Sequence, residues 1–415
     1  MEQIVNRVKT TALAKNMVNG FYDDLRKAPE NGRKVIWTMG PVPFELLSLL
    51  NIAYAHGESY GAYAAARKGN LELKQAAEAE GYSTDACSYW RTLGGLAILE
   101  KKKSEIRNDM RLPLPDMVVA AAHCQTAGLW CESLARFLKV PEFVIDIPMT
   151  YDESEYWTNV EYVKSQVLNL ISALEALTGK KLDYDKLKEK MALIKKAATL
   201  RRECMELCKA IPTPMSFFDC IISMGPIHTL RGTTASVDFY QALKNEIEER
   251  VANKVGVVAG EKYRLYWDNL PIWFKVGSLS TKLAEMHAVP IVGAYTHGGA
   301  YWEVDRIDPE KPLESIAEEL LLICKDMNAK YRVERIAQMV REYSLDGLIM
   351  HSARTCRPLN IGQYDIINAI REREGIPGIV IEADPTDPNY YSESEIDRLL
   401  PAFVETMESS KQHRK

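Results

Sequence analysis

Short apolar runs alternate with helical patterns along most of this chain, and that alternation limits the fold more than any other feature. Residues 34–39, 116–121 and 143–147 form three predominantly apolar runs in the first 150 residues. Apolar runs of this length are typical of parallel strands that are covered on both faces. Helical patterns at residues 42–50 and 128–138 separate the runs. Strand–helix–strand alternation predicts an open α/β sheet.

The middle of the chain has a different character. Residues 156–208 are rich in Leu, Lys, Glu and Ala at helical spacing, and Gly179 is a natural stop for the first long helix. Strand patterns then return at residues 263–267, 288–294, 346–350 and 378–383, with helical patterns at 314–328 and 331–343. We therefore predict an α/β fold with two doubly wound parallel-sheet domains, a helical N-terminus and a helical insert.

A chain of 415 residues is long for one domain, and two or three domains are expected. We divide it at the changes of pattern. The predicted units are an N-terminal helical segment (1–32), a first α/β domain (33–152), a helical linker or cap (153–255), a second α/β domain (256–408) and a tail (409–415).

Composition and motifs exclude several classes of function. No apolar stretch approaches the ~20 residues of a membrane span, and the charged N-terminus lacks the apolar core of a signal peptide. We therefore expect a cytoplasmic protein with no membrane partner. The net charge of −5 gives no electrostatic reason to bind nucleic acid. The sequence contains no P-loop, dinucleotide fingerprint, HExxH or GxSxG motif, so its chemistry must come from another kind of site.

Three of the eight cysteines lie where a ligand site could form. Cys124 and Cys356 directly follow predicted strands in opposite halves, and ligands of open α/β sheets bind beyond the carboxyl ends of strands. Cys87 lies in a polar, turn-forming loop. No CxxC pair exists, so a metal site would be assembled from distant segments. Spacing alone does not distinguish a shared metal site from three unrelated buried or loop thiols.

The remaining five cysteines are expected to be buried packing residues, because disulfides are rare in the cytoplasm and free cysteine behaves as a small apolar residue. Cys204 and Cys208 share one helix face and could be paired metal ligands, although packing is the favoured interpretation. The other members of this group are Cys131, Cys220 and Cys324.

The cysteine segments GYSTDACSYWR, AAHCQTAGLWCESLARFLKVPEFVIDIP and HSARTCRPLNIGQYD resemble the cluster-binding segments of the benzoyl-CoA reductase and 2-hydroxyacyl-CoA dehydratase family. Further similar stretches, from PVPFELL to the C-terminal IPGIVIEADPTDPNYYSESEIDRLLPAFVETME, occur in the same order. The resemblance implies two flavodoxin- or Rossmann-like domains. It also implies one [4Fe–4S] cluster on Cys87, Cys124 and Cys356, with one iron that no cysteine binds.

The same resemblance implies partners and site residues. The partners are a homologous second catalytic subunit, a separate ATP-hydrolysing iron–sulfur activator that donates electrons, and an acyl-CoA substrate. Glu58 aligns with an active-site glutamate, with an exposed loop carboxylate as the alternative. His297 follows a predicted strand and is expected to face the cleft, unless it only caps a turn. His123 and Arg354 flank ligand cysteines and could donate to cluster sulfides or to the thioester oxygen.

The expected chemistry is the addition of one electron to a thioester carbonyl, which gives a ketyl radical anion. Such a site needs an electron donor in contact, donors for the oxyanion and exclusion of water. Dehydratase subunits often carry a serine-rich turn where this chain has WTMGP, in which only Thr38 offers a hydroxyl. The sequence therefore favours an aryl-CoA reductase that dearomatises the ring. The alternatives are a 2-hydroxyacyl-CoA dehydratase subunit and a non-catalytic or double-cubane electron-transfer member. Arg264 and Trp273 are expected to organise packing.

Overall fold

Two parallel sheets of four strands form the frame of the protein. The computed structural model describes residues 4–149, 153–298 and 302–414. The first sheet contains β1 (Val35–Met39), β2 (Ala53–His56), β3 (Met117–Ala122) and β4 (Glu142–Asp146). The second contains β5 (Tyr263–Asp268), β6 (Ala288–Gly293), β7 (Gly347–Ala353) and β8 (Gly378–Ala383). The predicted α/β fold with two parallel sheets is confirmed.

The two sheets have the same strand order. The first runs β2-β1-β3-β4 and the second β6-β5-β7-β8. In each sheet the chain first moves to one side of the central strand and then crosses to the other side. This reversal is a topological switch point, and it leaves a crevice at the carboxyl ends of the two central strands, where doubly wound proteins bind ligands.

Helices cover both sheets. The first half carries α1 (Thr11–Lys27), α2 (Phe44–Leu49), α3 (Gly57–Ala66), α4 (Asn70–Ala79), α5 (Ser88–Lys101) and α6 (Gln125–Leu138). The central helices are α7 (Tyr156–Thr178), α8 (Tyr184–Leu207), α9 (Phe217–Ile222), α10 (Gly225–Thr229) and α11 (Thr234–Ala252). The second half carries α12 (Val276–Glu285), α13 (Ala294–His297), α14 (Pro312–Lys325), α15 (Ala329–Glu342), α16 (Arg357–Asn360), α17 (Gln363–Glu374) and α18 (Glu393–Arg414).

Strand β1 shows why continuous apolar runs predicted covered strands. All five of its residues are buried. Ile36 packs in a core that also contains residues of α7 and α14, whereas Val35 and Trp37 pack on the opposite face with residues of α5 and α6. Because successive side chains of a strand point to opposite faces, a strand covered on both faces must be apolar at every position.

Helix α14 belongs to the second half in sequence but packs on the first. Its Ile316 and Leu320 share one core with Val163 and Val167 of α7 and with Val119 of β3. The helical insert and α14 thus form one wall along the side of the first sheet.

Two elements differ from the sequence predictions. Strand β2 has the sequence AYAH and was not predicted, because it is short and lies directly between two helices; it pairs in parallel with Val35–Thr38. The predicted tail at 409–415 is helical as far as Arg414. This end is held because the Ser410 hydroxyl donates to the Gly375 carbonyl (2.8 Å) and Lys411 pairs with Asp346 (2.9 Å).

None of the described helices combines the length and apolar character that crossing a membrane requires.

Candidate functional site

A cavity of about 200 Å³ lies where the carboxyl ends of the two sheets face each other. The segments after all four inner strands line it. They contribute Val42 after β1, Cys124 after β3, Leu270 after β5 and Cys356 after β7. Both switch points therefore open into one shared crevice.

All three predicted cluster ligands line this cavity. Cys87, Cys124 and Cys356 are partly exposed, and the other five cysteines of the chain are buried. Cys87 comes from the first half on a loop, Cys124 from the end of β3, and Cys356 from the second half. The structure thus brings together the three thiols that sequence spacing alone could not connect.

Each of these cysteines immediately precedes a helix. Cys87 is the N-cap of α5, Cys124 of α6 and Cys356 of α16. Backbone N–H groups of the following turn, such as those of Trp90 and Ala127, face the sulfurs and favour the thiolate, although without the geometry of a capping hydrogen bond. The positive ends of the two 14-residue helices α5 and α6 thus point at the site, which favours bound negative charge.

Burial works against free thiolates at two of these positions. It raises the pKa of Cys87 to about 12 and the pKa of Cys356 well above its usual value. A metal centre would reverse this preference, because a coordinating thiol loses its proton outright. Among the described residues, no group of three or more His, Cys, Asp or Glu side chains is arranged to hold a single metal ion. Three thiols that converge on one cavity fit a cluster, in which each cysteine binds a different iron.

Cys124 differs from the other two cysteines because His123 pairs with it. Burial opposes charge on both side chains, but their hydrogen bond and mutual attraction outweigh burial. The pKa of Cys124 is lowered, and the pKa of His123 is raised to about 9. Glu58 reinforces the imidazolium, since its Oε1 lies 3.6 Å from His123 Nε2. Carboxylate, imidazole and thiol thus form one polar chain along the cavity wall.

Gly40 makes room for this chain. Its φ is 76°, and a Cβ at this position would lie 2.5 Å from His123 Nδ1 and 2.7 Å from the Ala121 carbonyl oxygen. His123 Nδ1 is fixed by that same carbonyl at 2.9 Å. A glycine is therefore required both for the left-handed backbone and for the close approach of the histidine ring.

A hydrogen bond joins the neighbours of two ligand cysteines across the two halves. The Ser88 N–H, next to Cys87, donates to the Thr355 hydroxyl (3.1 Å), next to Cys356. The Thr355 hydroxyl in turn donates to the Asp384 carboxylate, and all three residues are buried. The relative position of two ligand loops is thus set by a buried hydrogen-bond chain that passes through Thr355 in the cavity wall.

A buried ion-pair network lies behind this connection. Asp387, from the loop after β8, forms ion pairs with Arg91 Nη2 (3.0 Å) and Lys74 Nζ (3.3 Å). Lys74 also donates to the Thr386 carbonyl (2.9 Å). We call Lys74, Arg91 and Asp387 the interdomain latch, because they tie helices α4 and α5 of the first half to the second half.

Two further histidines line the cavity. His56 and His228 have ring centroids 5.8 Å apart, and Phe44 packs against both in edge contacts. His56 Nε2 lies 3.8 Å from the Glu58 carboxylate, and its Nδ1 lies 2.9 Å from the Ser59 hydroxyl. Burial lowers the pKa of both histidines. They are therefore neutral near pH 7.

A largely buried arginine in the cavity lining is held between two carboxylates. Arg231 Nε lies 2.8 Å from Glu45 Oε2, and its Nη2 pairs with Glu319. Burial raises the pKa of Glu319, and Arg231 opposes this effect. The guanidinium is thus neutralised by groups from the protein itself.

Two predicted site residues lie in the cavity and two do not. Glu58 and His123 line it, as expected for site residues. The prediction that His297 faces the cleft is wrong, because the chain turns into α13 directly after β6 and directs this ring into the core. There it stacks on Trp302 at 5.0 Å. Arg354 points to solvent with about half its side chain exposed, stacks over Tyr390 and faces away from the cavity.

The packing residues behave as expected. Arg264 is buried and donates to the carbonyls of Tyr343 (2.7 Å) and Cys208 (3.0 Å). The Trp273 indole donates to the Tyr89 hydroxyl (2.6 Å) and so joins the second half to a residue that lines the cavity. Thr38 is fully buried, with its hydroxyl 3.4 Å from the Ala55 carbonyl, and does not reach the cavity.

Sequence reasoning missed the histidine pair and the arginine with its two carboxylates. Two of these residues lie near positions noted in the sequence, since PVPFELL contains Glu45 and His56 lies two residues before Glu58. The missing signal was spatial, because four separate segments supply these side chains.

Comparison with known proteins establishes the family of this chain. Residues 9–407 match the family model described as 2-hydroxyglutaryl-CoA dehydratase, D-component. The chain is 29% identical to the (R)-2-hydroxyisocaproyl-CoA dehydratase alpha subunit of Clostridioides difficile, over 96% of this chain and 95% of the relative. It is also 29% identical to a benzoyl-CoA reductase subunit of Thauera aromatica, over 96% and 94%. The alpha subunit of lactoyl-CoA dehydratase from Anaerotignum propionicum is 28% identical, over 93% and 94%. The protein belongs to the 2-hydroxyglutaryl-CoA dehydratase D-component family, which includes 2-hydroxyacyl-CoA dehydratase and benzoyl-CoA reductase subunits.

Proposed function

We propose that this chain is the [4Fe–4S] catalytic subunit of an aryl-CoA reductase driven by low-potential electrons. The observation that carries the proposal is the convergence of Cys87, Cys124 and Cys356 from both halves on one cavity. That cavity also contains a carboxylate and an imidazole, as proton transfer to a reduced acyl group requires.

The three cysteines would hold the cluster, leaving one iron without a cysteine ligand. When bound, the cluster would supply single electrons at low potential to an acyl thioester in contact with it. The protein contributes the positive ends of α5 and α6 and the imidazolium of His123, which stabilise negative charge beside the thiols.

Glu58 is the proposed proton-transfer residue. It lines the cavity and lies within 4 Å of both His56 and His123, so a small side-chain movement would bring the carboxylate within hydrogen-bonding distance of either imidazole. The pKa values of the two histidines shift in opposite directions, which makes His56 a proton acceptor and His123 a proton donor near neutral pH.

The cavity walls would exclude water from the reduced acyl group. Apolar side chains of Phe44, Ile316, Leu320 and Leu359 also line the cavity. A radical intermediate needs this protection, because water would protonate it before the second electron arrives. The buried position of Thr38 removes the one hydroxyl expected for a dehydratase turn, and this supports the reductase interpretation.

A 2-hydroxyacyl-CoA dehydratase subunit is the second candidate. It is favoured by relatives of equal similarity whose names state that activity. Glu58 could equally remove a proton from the substrate in that reaction. Both functions use a homologous second subunit and an ATP-hydrolysing electron donor, and we extend these partners to this chain as part of the proposal.

Electron stoichiometry separates the two candidates. The chain would be purified anaerobically with its partner subunit and activator, and incubated with benzoyl-CoA or a 2-hydroxyacyl-CoA and a counted amount of reductant. A reductase consumes two electrons for each benzoyl-CoA converted. A dehydratase converts many substrate molecules for each electron supplied, and that result would overturn the reductase proposal.

A further inference from the structure

The arginine that lines the cavity is already committed to protein carboxylates. Arg231 makes a 2.8 Å contact with Glu45 through Nε and pairs with Glu319 through Nη2. Glu45 exposes 1% of its side chain, Arg231 10% and Glu319 20%. The two carboxylates together engage Nε and Nη2 of the guanidinium, so its charge is not available to a ligand.

Three separate elements hold this triad in place. Glu45 lies on α2 of the first half, Arg231 in the connection between α10 and α11, and Glu319 on α14 of the second half. Releasing the arginine would require one of these elements to move or would leave a carboxylate buried without a partner, which is strongly unfavourable. The triad is therefore a fixed feature of the wall.

The charge balance of the described lining is negative. Four carboxylates, those of Glu45, Glu58, Glu319 and Asp326, face one guanidinium and one imidazolium, that of His123, which Glu58 and Cys124 already engage. An anionic ligand group would thus meet carboxylates and no uncommitted arginine or lysine among the described lining residues.

We infer that the site selects CoA thioesters whose acyl group is uncharged and rejects those that carry a second carboxylate. This inference rests on the proposed function and specifies its substrate class. A second carboxylate would lose its hydration without gaining a cationic partner, and it would lie among like charges. A neutral acyl group would instead contact Phe44, Ile316, Leu320, Ile323 and Met327.

Two matched ligand pairs test the inference by isothermal titration calorimetry on anaerobically purified protein. Benzoyl-CoA is compared with 4-carboxybenzoyl-CoA, and hexanoyl-CoA with glutaryl-CoA. Within each pair the CoA part is the same, so the difference reports the acyl group. The neutral member should bind roughly 100-fold more tightly, as expected for a like-charge contact at a buried site. Equal affinities within both pairs would overturn the inference.

A charge-removing variant tests the assigned cause. Glu319→Gln keeps the side-chain shape but leaves Arg231 Nη2 free to bind a ligand carboxylate. The affinity ratio between the neutral and the carboxylate-bearing ligand of each pair should therefore fall at least tenfold. Glu319→Asp retains the charge and should keep the preference. Glu318→Gln is the matched control, because Glu318 lies on the same helix but pairs with Arg306 outside the cavity. A preference that is the same in Glu319→Gln as in the wild type would contradict the role of the triad.

Different results would refute the acyl-CoA function and the selectivity for uncharged acyl groups. If neither member of either pair binds the folded protein, the acyl-CoA function itself is refuted and the selectivity falls with it. If both members of each pair bind equally well, the proposed function survives and only the selectivity is refuted.

Discussion

Removing one charge from the interdomain latch should destabilise the protein strongly. In wild type, Asp387 faces two cations that are almost completely buried, since Lys74 exposes 1% and Arg91 0% of their side chains. Asp387→Asn keeps the size of the side chain but removes its charge. One of the cations then meets an amide NH₂ group instead of an oxygen.

The size of the effect follows from how each cation can respond. Burial lowers the pKa of Lys74 to about 8 even though Asp387 and Asp384 oppose the shift. Lys74 can therefore escape by losing its proton, at a cost of about 1.4 kcal/mol at pH 7 for one pKa unit. Arg91 cannot deprotonate and loses a buried ion-pair contact to a charged partner, at about 1.5–3 kcal/mol. The free energy of unfolding should fall by about 3–4 kcal/mol, within the range for a broken buried ion pair.

Equilibrium urea denaturation, followed by tryptophan fluorescence and circular dichroism, measures this change. Asp397→Asn is the control, because Asp397 pairs with Lys282 at the surface with 53% of its side chain exposed. That variant should lose less than about 1 kcal/mol. A loss below about 1 kcal/mol in Asp387→Asn would refute the claim that the latch holds the two halves together.

Three further changes test neighbouring parts of the site. Lys74 binds its proton more weakly in the folded state than in the unfolded state. As the pH rises from 8 to 10.5, the free energy of unfolding of the wild type should therefore increase by about 3 kcal/mol relative to that of Lys74→Met. Stability–pH curves that run parallel for the two proteins would contradict the buried charge. Gly40→Ala should lower the free energy of unfolding by about 2–4 kcal/mol through its clash with His123. Gly32 also has a positive φ, but a Cβ there would meet open space, so Gly32→Ala should lower the free energy of unfolding by only about 1–2 kcal/mol. Equal losses in the two variants would refute the clash at Gly40. Thr355→Val should reduce bound iron per chain and Thr355→Ser should restore it, and full iron loading in the valine variant would show that the hydroxyl does not position the ligand loops.

Most of the fold was accessible from sequence because both sheets are buried on two faces. Seven of the eight strands were predicted within a few residues, since their apolar runs stand out against helical neighbours. Strand β2 could not be identified this way. Its sequence AYAH contains no β-branched residue, and its strand conformation depends on pairing with β1.

The candidate site could be predicted from the sequence only in part. Cys124 and Cys356 follow strands, so topology alone placed them at one end of their sheets. Glu58 and Cys87 required the family resemblance. His297 was misassigned because the direction of a side chain after a strand depends on the turn that follows. Arg354 was misassigned because residues 354–355 form a turn after β7, in which Thr355 is buried and Arg354 is exposed.

The triad around Arg231 was not predicted because its three members are far apart in sequence. Glu45 and Glu319 come from opposite halves of the chain, and each alone resembles an ordinary helix carboxylate. Only the packing of α14 against the first half brings them together. Long-range charge balance of this kind is a property of the folded chain and not of any local pattern.

Iron and sulfide analysis of anaerobically purified protein shows whether this chain binds a [4Fe–4S] cluster. The account predicts about four irons per chain in wild type, loss of the cluster in Cys356→Ser, and an unchanged cluster in Cys204→Ser, whose thiol is buried away from the cavity. A wild-type protein without iron after anaerobic reconstitution would contradict the account, and so would equal iron loading in the two variants.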